Sequence, residues 1–137
     1  MAWPAEAHFR TLIAQARQWL TDVYIIEYDV TSPIRAILKL EGTWHRYRLI
    51  VSEIHRPDNT VRYAYYVLDQ NNRHVHRFDN SSDKRAIRLR YGADWKGHQY
   101  EEVPHQHDAT GNVTLSPTPM TFEIFIEWLA DNLADPI

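Results

Sequence analysis

The spacing of the strand-like runs constrains this chain more than any single motif. Val23–Val30 (VYIIEYDV), Ile34–Leu40 (IRAILKL), Trp44–Ile54 (WHRYRLIVSEI), Thr60–Leu68 (TVRYAYYVL) and Arg73–Asp79 (RHVHRFD) are rich in β-branched and aromatic residues. The segments between them are of turn length and carry turn chemistry: Thr31-Ser32-Pro33, Glu41-Gly42-Thr43, Arg56-Pro57-Asp58-Asn59 and Asp69-Gln70-Asn71-Asn72. Parallel neighbours need a crossover of a dozen or more residues. The runs must therefore pair as an antiparallel meander.

Helical periodicity brackets this sheet. Phe9, Leu12, Ile13, Ala16 and Leu20 recur at the spacing of one buried helix face, with Pro4 suited to the first turn and Thr21-Asp22 to the end. Phe122, Phe125, Ile126, Leu129 and Leu133 form a second apolar stripe, which Thr118 (before Pro119) or Thr121 can cap. Asn80–Glu102 is ambiguous. Its Arg85–Tyr91 piece alternates and reads as a sixth strand or a loop. Val103–Leu115 carries an Asp-Ala-Thr-Gly-Asn turn in its middle. The expected fold is α+β: a single antiparallel sheet of five to six strands flanked by an N-terminal and a C-terminal helix, both on one face. At 137 residues it reads as one domain, 1–137.

Composition removes whole classes of chemistry. There is no cysteine, so disulfides, thiolate metal sites and Cys nucleophiles are excluded. No apolar run reaches the roughly 18 residues of a spanning helix, so no membrane partner is expected. The start, MAWPAEAHFR, lacks a basic segment followed by an apolar stretch, and the expected location is cytoplasmic. With only Gly42, Gly92, Gly97 and Gly111, no Gly-rich phosphate loop can form, and neither a nucleophile elbow nor His-Glu-x-x-His is present. The net charge of −3 conceals polarity. Residues 35–96 hold thirteen Lys/Arg against seven Asp/Glu, while residues 97–137 hold seven acids and no Lys or Arg. A basic middle and an acidic end suit either a nucleic-acid partner or docking of one half on the other.

Three constellations could carry chemistry. His105-Gln106-His107 places two imidazoles on one side of an extended segment, which suits an acid/base pair or two metal ligands. His74-Val75-His76 repeats the pattern. Arg77-Phe78-Asp79-Asn80 closes the fifth run, with Arg77 and Asp79 on one side and Phe78 and Asn80 on the other. Tyr63 and Tyr65 share one face of the fourth run, opposite Tyr66 and Arg62, and tyrosine interleaved with arginine can stack bases and bind phosphate.

Taken in order, the Tyr-rich strand (VRYAYYVLD), the Asn turn, HRFDN, PHQH and the final helix TFEIFIEWL resemble the TumE-like toxin family of bacterial toxin–antitoxin systems over about residues 35–131. The resemblance implies a small cytoplasmic toxin with a cognate helix-turn-helix antitoxin and a ribonuclease-type activity. On the matching positions it implies functional roles for Tyr65, Arg77, Asp79, Asn80, His105 and His107. The chain departs from the family where Ser81-Ser82-Asp83-Lys84 replaces an Ala-Pro-His-His and where a longer insert runs to Pro104.

The leading expectation is RNA cleavage without metal or other cofactor. One of His105 and His107 takes the 2′-hydroxyl proton, and the other protonates the leaving oxygen. Arg77 stabilises the phosphorane with help from Lys84 or Arg85, beside Asp79, with Tyr65 and Asn80 contacting substrate. The alternatives are a non-catalytic module whose basic sheet meets nucleic acid or an acidic protein, and a metalloenzyme in which Asp79 or Asp108 joins the two histidines.

Overall fold

The computed structural model describes residues 4–133, so the ends of the expected 1–137 domain lie outside the described residues. Helix α1 (Ala5–Trp19) comes first. Strands β1 (Thr21–Asp29), β2 (Ala36–Trp44), β3 (Tyr47–His55), β4 (Val61–Leu68) and β5 (His74–Asp79) follow. Helix α2 (Lys84–Tyr91) and a 3₁₀ segment (Gly92–His98) lead to β6 (His105–Asp108), β7 (Val113–Leu115) and helix α3 (Phe122–Asn132). The seven strands form one sheet in sequence order, and each neighbouring pair is antiparallel. The meander and its terminal helices are as the sequence implies, and the strand count is one above the expected maximum because the hairpin around Asp108–Asn112 supplies both β6 and β7.

Strand alternation sends Leu38, Leu40, Leu49, Val51, Tyr63, Tyr65, Val67 and Phe78 to one face, where they form the core. Phe9, Leu12 and Ala16 of α1 and Phe122, Phe125 and Leu129 of α3 cover that face together. The Tyr65 ring stacks on Phe125 at 5.2 Å, and Phe9 meets His55 edge-on at 4.9 Å. Thr121 is the α3 cap, accepting from the Ile124 N–H.

Two local expectations are corrected. Glu41-Gly42-Thr43 is not a turn. It lies within β2, with Gly42 opposite Leu49, and the chain reverses at His45-Arg46, where His45 takes φ 52°. Gly42 serves close approach rather than reversal: a Cβ there would lie 2.9 Å from Leu20 Cδ1, 3.2 Å from Leu20 Cβ and 3.3 Å from Val23 Cγ2.

The second correction concerns Arg85–Tyr91, which is helical rather than a strand or loop. The Asp83 side chain caps α2 by accepting from the Arg85 and Ala86 N–H groups. The apparent alternation is dissolved by burial: Ile87 is buried with Ala86 against Val103, while Leu89 is exposed. This small cluster includes Val113, which is paired with His107 and so shares its face, so α2 covers the sheet face opposite α1 and α3, at the β6–β7 end.

Replacing Gly42 with Val forces a branched side chain against Leu20. We expect a loss of about 1–3 kcal/mol by urea unfolding, the usual range for overpacking a filled site. An unchanged midpoint would show that the Leu20 contact is free to give way.

Candidate functional site

The pairing of β5 with β6 builds the site. Arg77 lies directly opposite His107, and Asp79 directly opposite His105. Partners across an antiparallel ladder share a face, and so do residues two apart on one strand. All four side chains therefore project together on the face opposite α1 and α3. The sequence motifs RFDN and PHQH, whose first residues Arg77 and Pro104 stand 27 positions apart, become one cluster through this register.

Asp79 sits at its centre. One carboxylate oxygen accepts from the Ser81 N–H at 3.1 Å and the Ser81 hydroxyl at 2.8 Å, and the same oxygen lies 3.0 Å from His105 Nε2. The other lies 2.8 Å from Arg77 Nε. Arg77 also reaches His107, with its terminal nitrogen 2.6 Å from Nε2. Only the guanidinium can donate there, so His107 accepts through a neutral ring nitrogen. His105 Nδ1 lies 2.6 Å from the Val103 carbonyl and must donate to it, which turns Nε2 toward Asp79. Neither Arg77 Nε nor His105 Nε2 is well aligned for a hydrogen bond, so the Arg77 contact with Asp79 is an ion pair rather than a directed bond, and the His105 contact gains the same character when the ring is protonated. Asp83, the cap of α2, places an oxygen 3.9 Å from Nε2 of both histidines.

The electrostatics follow from this packing. Burial opposes ionisation of Asp79, but His105, Ser81 and Arg77 outweigh it and hold the carboxyl down to about 2. Burial likewise opposes charge on His105, but Asp79, the Val103 carbonyl and Asp83 raise it above its ordinary value. His107 goes the other way: burial, then the charges of Arg77 and His105, lower it. Adjacent histidines thus take opposite states, His105 favouring the cation and His107 the neutral base.

Access is uneven. His105 is completely buried and His107 nearly so, whereas the Arg77 side chain keeps about a quarter of its surface (27%). Arg77 and Asp79 border a groove of about 370 Å³ that Ser52, Ile54, Arg62, Tyr66 and Ser81 also line. The Arg77 guanidinium lies 5.7 Å from the centre of the Tyr66 ring. The groove therefore offers two arginines and an aromatic ring to an anionic ligand.

Other sequence candidates lie elsewhere. Tyr65 is on the opposite face, buried, and donates its hydroxyl to Glu53 at 2.6 Å. Asn80 extends the β4–β5 pairing, accepting from the Tyr63 N–H at 2.9 Å and donating to the Val61 carbonyl at 2.8 Å. Lys84 lies over Trp95 at 5.1 Å, and Arg85 donates to the Gly111 carbonyl at 2.9 Å. Asp108 holds the β6–β7 turn through Thr110 and Asn112. His74 and His76 are separated by an irregularity in the β4–β5 register. His74 faces the Tyr66 ring, and His76 stacks near Trp128 at 4.4 Å.

Sequence reasoning did not single out Asp83, Ser81 or Ser52 for the site. A helical reading of Lys84–Tyr91 would have marked Asp83 as a cap, while Ser52 joins only through the β3–β4 register. No family model matches the chain, and no curated protein or solved structure matches it.

The Asp79–His105 pair predicts a pH signature. Its His105 contribution is complete below pH 6.5, the ordinary histidine value, and is lost as pH rises through the raised folded value. Its Asp79 contribution persists in acid until pH falls through about 2. Asp79→Asn leaves Arg77 and His105 without their carboxylate, and we expect a loss of about 3–5 kcal/mol, as for a broken buried pair. The variant should also bring the NMR titration midpoint of His105 to or below its ordinary value; an unmoved midpoint would remove Asp79 as the cause.

Proposed function

We propose that the chain is an RNA-directed, toxin-type protein that cleaves RNA in the cytoplasm and is held in check by a helix-turn-helix antitoxin. The observation that carries this reading is the convergence of Arg77, Asp79, His105 and His107 into one cluster, of which Arg77 and Asp79 border an arginine-lined groove. The family resemblance supplies the biological setting. No described helix is long and apolar enough to cross a membrane.

The roles divide by access and protonation. A phosphodiester in the groove meets Arg77 and Arg62, with Tyr66 beside them for base stacking. Moving the Arg77 guanidinium from His107 onto the phosphate frees the neutral Nε2 to take the ribose 2′-hydroxyl proton. Arg77 then faces the charge that develops on the phosphorane. Asp79, at the groove's border, is held by His105 and positions Arg77, while His105 itself has no exposed surface. The symmetric two-histidine scheme thus reduces to one base, His107: the 2′-oxygen attacks phosphorus as the P–O5′ bond breaks, and solvent water protonates the leaving 5′-oxygen.

A second reading is favoured by one observation: the Arg77 nitrogen blocks the His107 lone pair. If it stays there, the groove binds RNA without cutting it. Incubation of the purified protein with labelled single-stranded RNA separates the two. We expect cleavage that His107→Ala reduces at least 100-fold, the lower bound for loss of a general base. Arg77→Ala should weaken both cleavage and binding. Salt-sensitive binding without cleavage would assign the binding-module function, and neither binding nor cleavage would overturn both readings.

A further inference from the structure

A second cluster lies on the other face of the sheet, beneath α1. Glu53 occupies a core-facing position of β3 and is buried among apolar side chains. One of its oxygens is 2.8 Å from His8 Nε2 on α1 and 2.8 Å from His55 Nε2 on β3. The other oxygen accepts from the Tyr65 hydroxyl. The two imidazole rings stand 4.9 Å apart, and the His8 side chain is half exposed.

Two Nε2 atoms converging on a single carboxylate oxygen is an economical arrangement for a divalent cation. The three donor atoms lie within 4.8 Å of one another. In a tetrahedral zinc site, bond lengths near 2.0–2.2 Å place neighbouring donors about 3.3 Å apart. Each His–Glu contact must then lengthen by only about half an ångström. His8 has the freedom to do this because it sits on a helix surface. The donor set, two histidines and one carboxylate, is one that zinc takes when a fourth position is left open. Tyr65 holds the remaining carboxylate oxygen from behind, the kind of outer contact that fixes a ligand's orientation.

The Asp79–His105–His107 triad has a similar donor set but is a poorer cation site. Arg77 already brings a permanent positive charge against Asp79 and His107, and His105 has no exposed surface.

We propose that His8, Glu53 and His55 form a mononuclear zinc site whose fourth position opens to solvent beside His8. It lies across the sheet from the RNA groove and does not depend on the ribonuclease reading. The Glu53-x-His55 pair lies on one side of β3, and α1 supplies the third ligand from 45 residues earlier.

The test is calorimetric titration of the chelator-treated full chain with Zn²⁺, with Co²⁺ absorption as a coordination readout. One zinc per chain should bind, raise the melting temperature and, as cobalt, give visible d–d bands. His8→Ala should weaken zinc at least tenfold and abolish the thermal shift, while Arg77→Ala leaves both unchanged. His8→Gln, which can keep a hydrogen bond to Glu53, should fold normally yet lose zinc, separating coordination from stability. Absence of zinc binding, or equal binding by the His8 variants, would overturn the site.

Discussion

Four charged or titratable side chains depend on one backbone register, the antiparallel pairing of β5 with β6. A slip of one residue would turn His105 and His107 to the helix-covered face and leave Asp79 without its partner. The pairing is short, since β6 has four residues and β7 three. It is braced from outside: Arg56 pairs with Glu102 at 2.6 Å, the Ser116 N–H donates to the Pro104 carbonyl, and α2 packs Ile87 against Val103. The cluster also reinforces the register it needs. Any other alignment would bury Asp79 or Arg77 without a partner, which costs far more than a ladder hydrogen bond contributes.

The sheet separates two kinds of chemistry by its pleat. Phe78 and Tyr65 point into the aromatic core beneath α3, while their neighbours Arg77 and Tyr66 point to the groove. Glu53 keeps its charge on the core face because its three donors outweigh the burial and hold it down to about 2. The opposite charges of the middle and last segments find a local expression here. The arginine of the basic segment and the carboxylate beside it meet the histidines of the acidic segment, and Arg56 meets Glu102.

Much of this was legible in residue order. Turn residues at Thr31–Pro33, Pro57–Asn59 and Asp69–Asn72 fixed the meander, and alternation correctly put Arg77 with Asp79 and His105 with His107. Gly42 misled because a glycine that admits a neighbouring side chain looks, in sequence, like one that permits a turn. Arg85–Tyr91 misled because a short amphipathic stretch can satisfy both periods until the packing partner is known. The split of His74 from His76 was hidden because the register irregularity that separates them has no residue signature.

The sequence by itself determined the meander of the first five strands, its two long helices and that Arg77 shares a strand face with Asp79 and His105 with His107, because those follow from backbone periodicity and turn chemistry. Only the tertiary structure decided which strands become neighbours of which motif, that Tyr65 serves the core rather than the groove, that burial and neighbouring charges shift His105 and His107 in opposite directions, and that His8 meets Glu53 and His55. Each of those rests on burial and on distances between residues far apart in the chain, and neither quantity exists until the sheet has closed its register and the helices have docked.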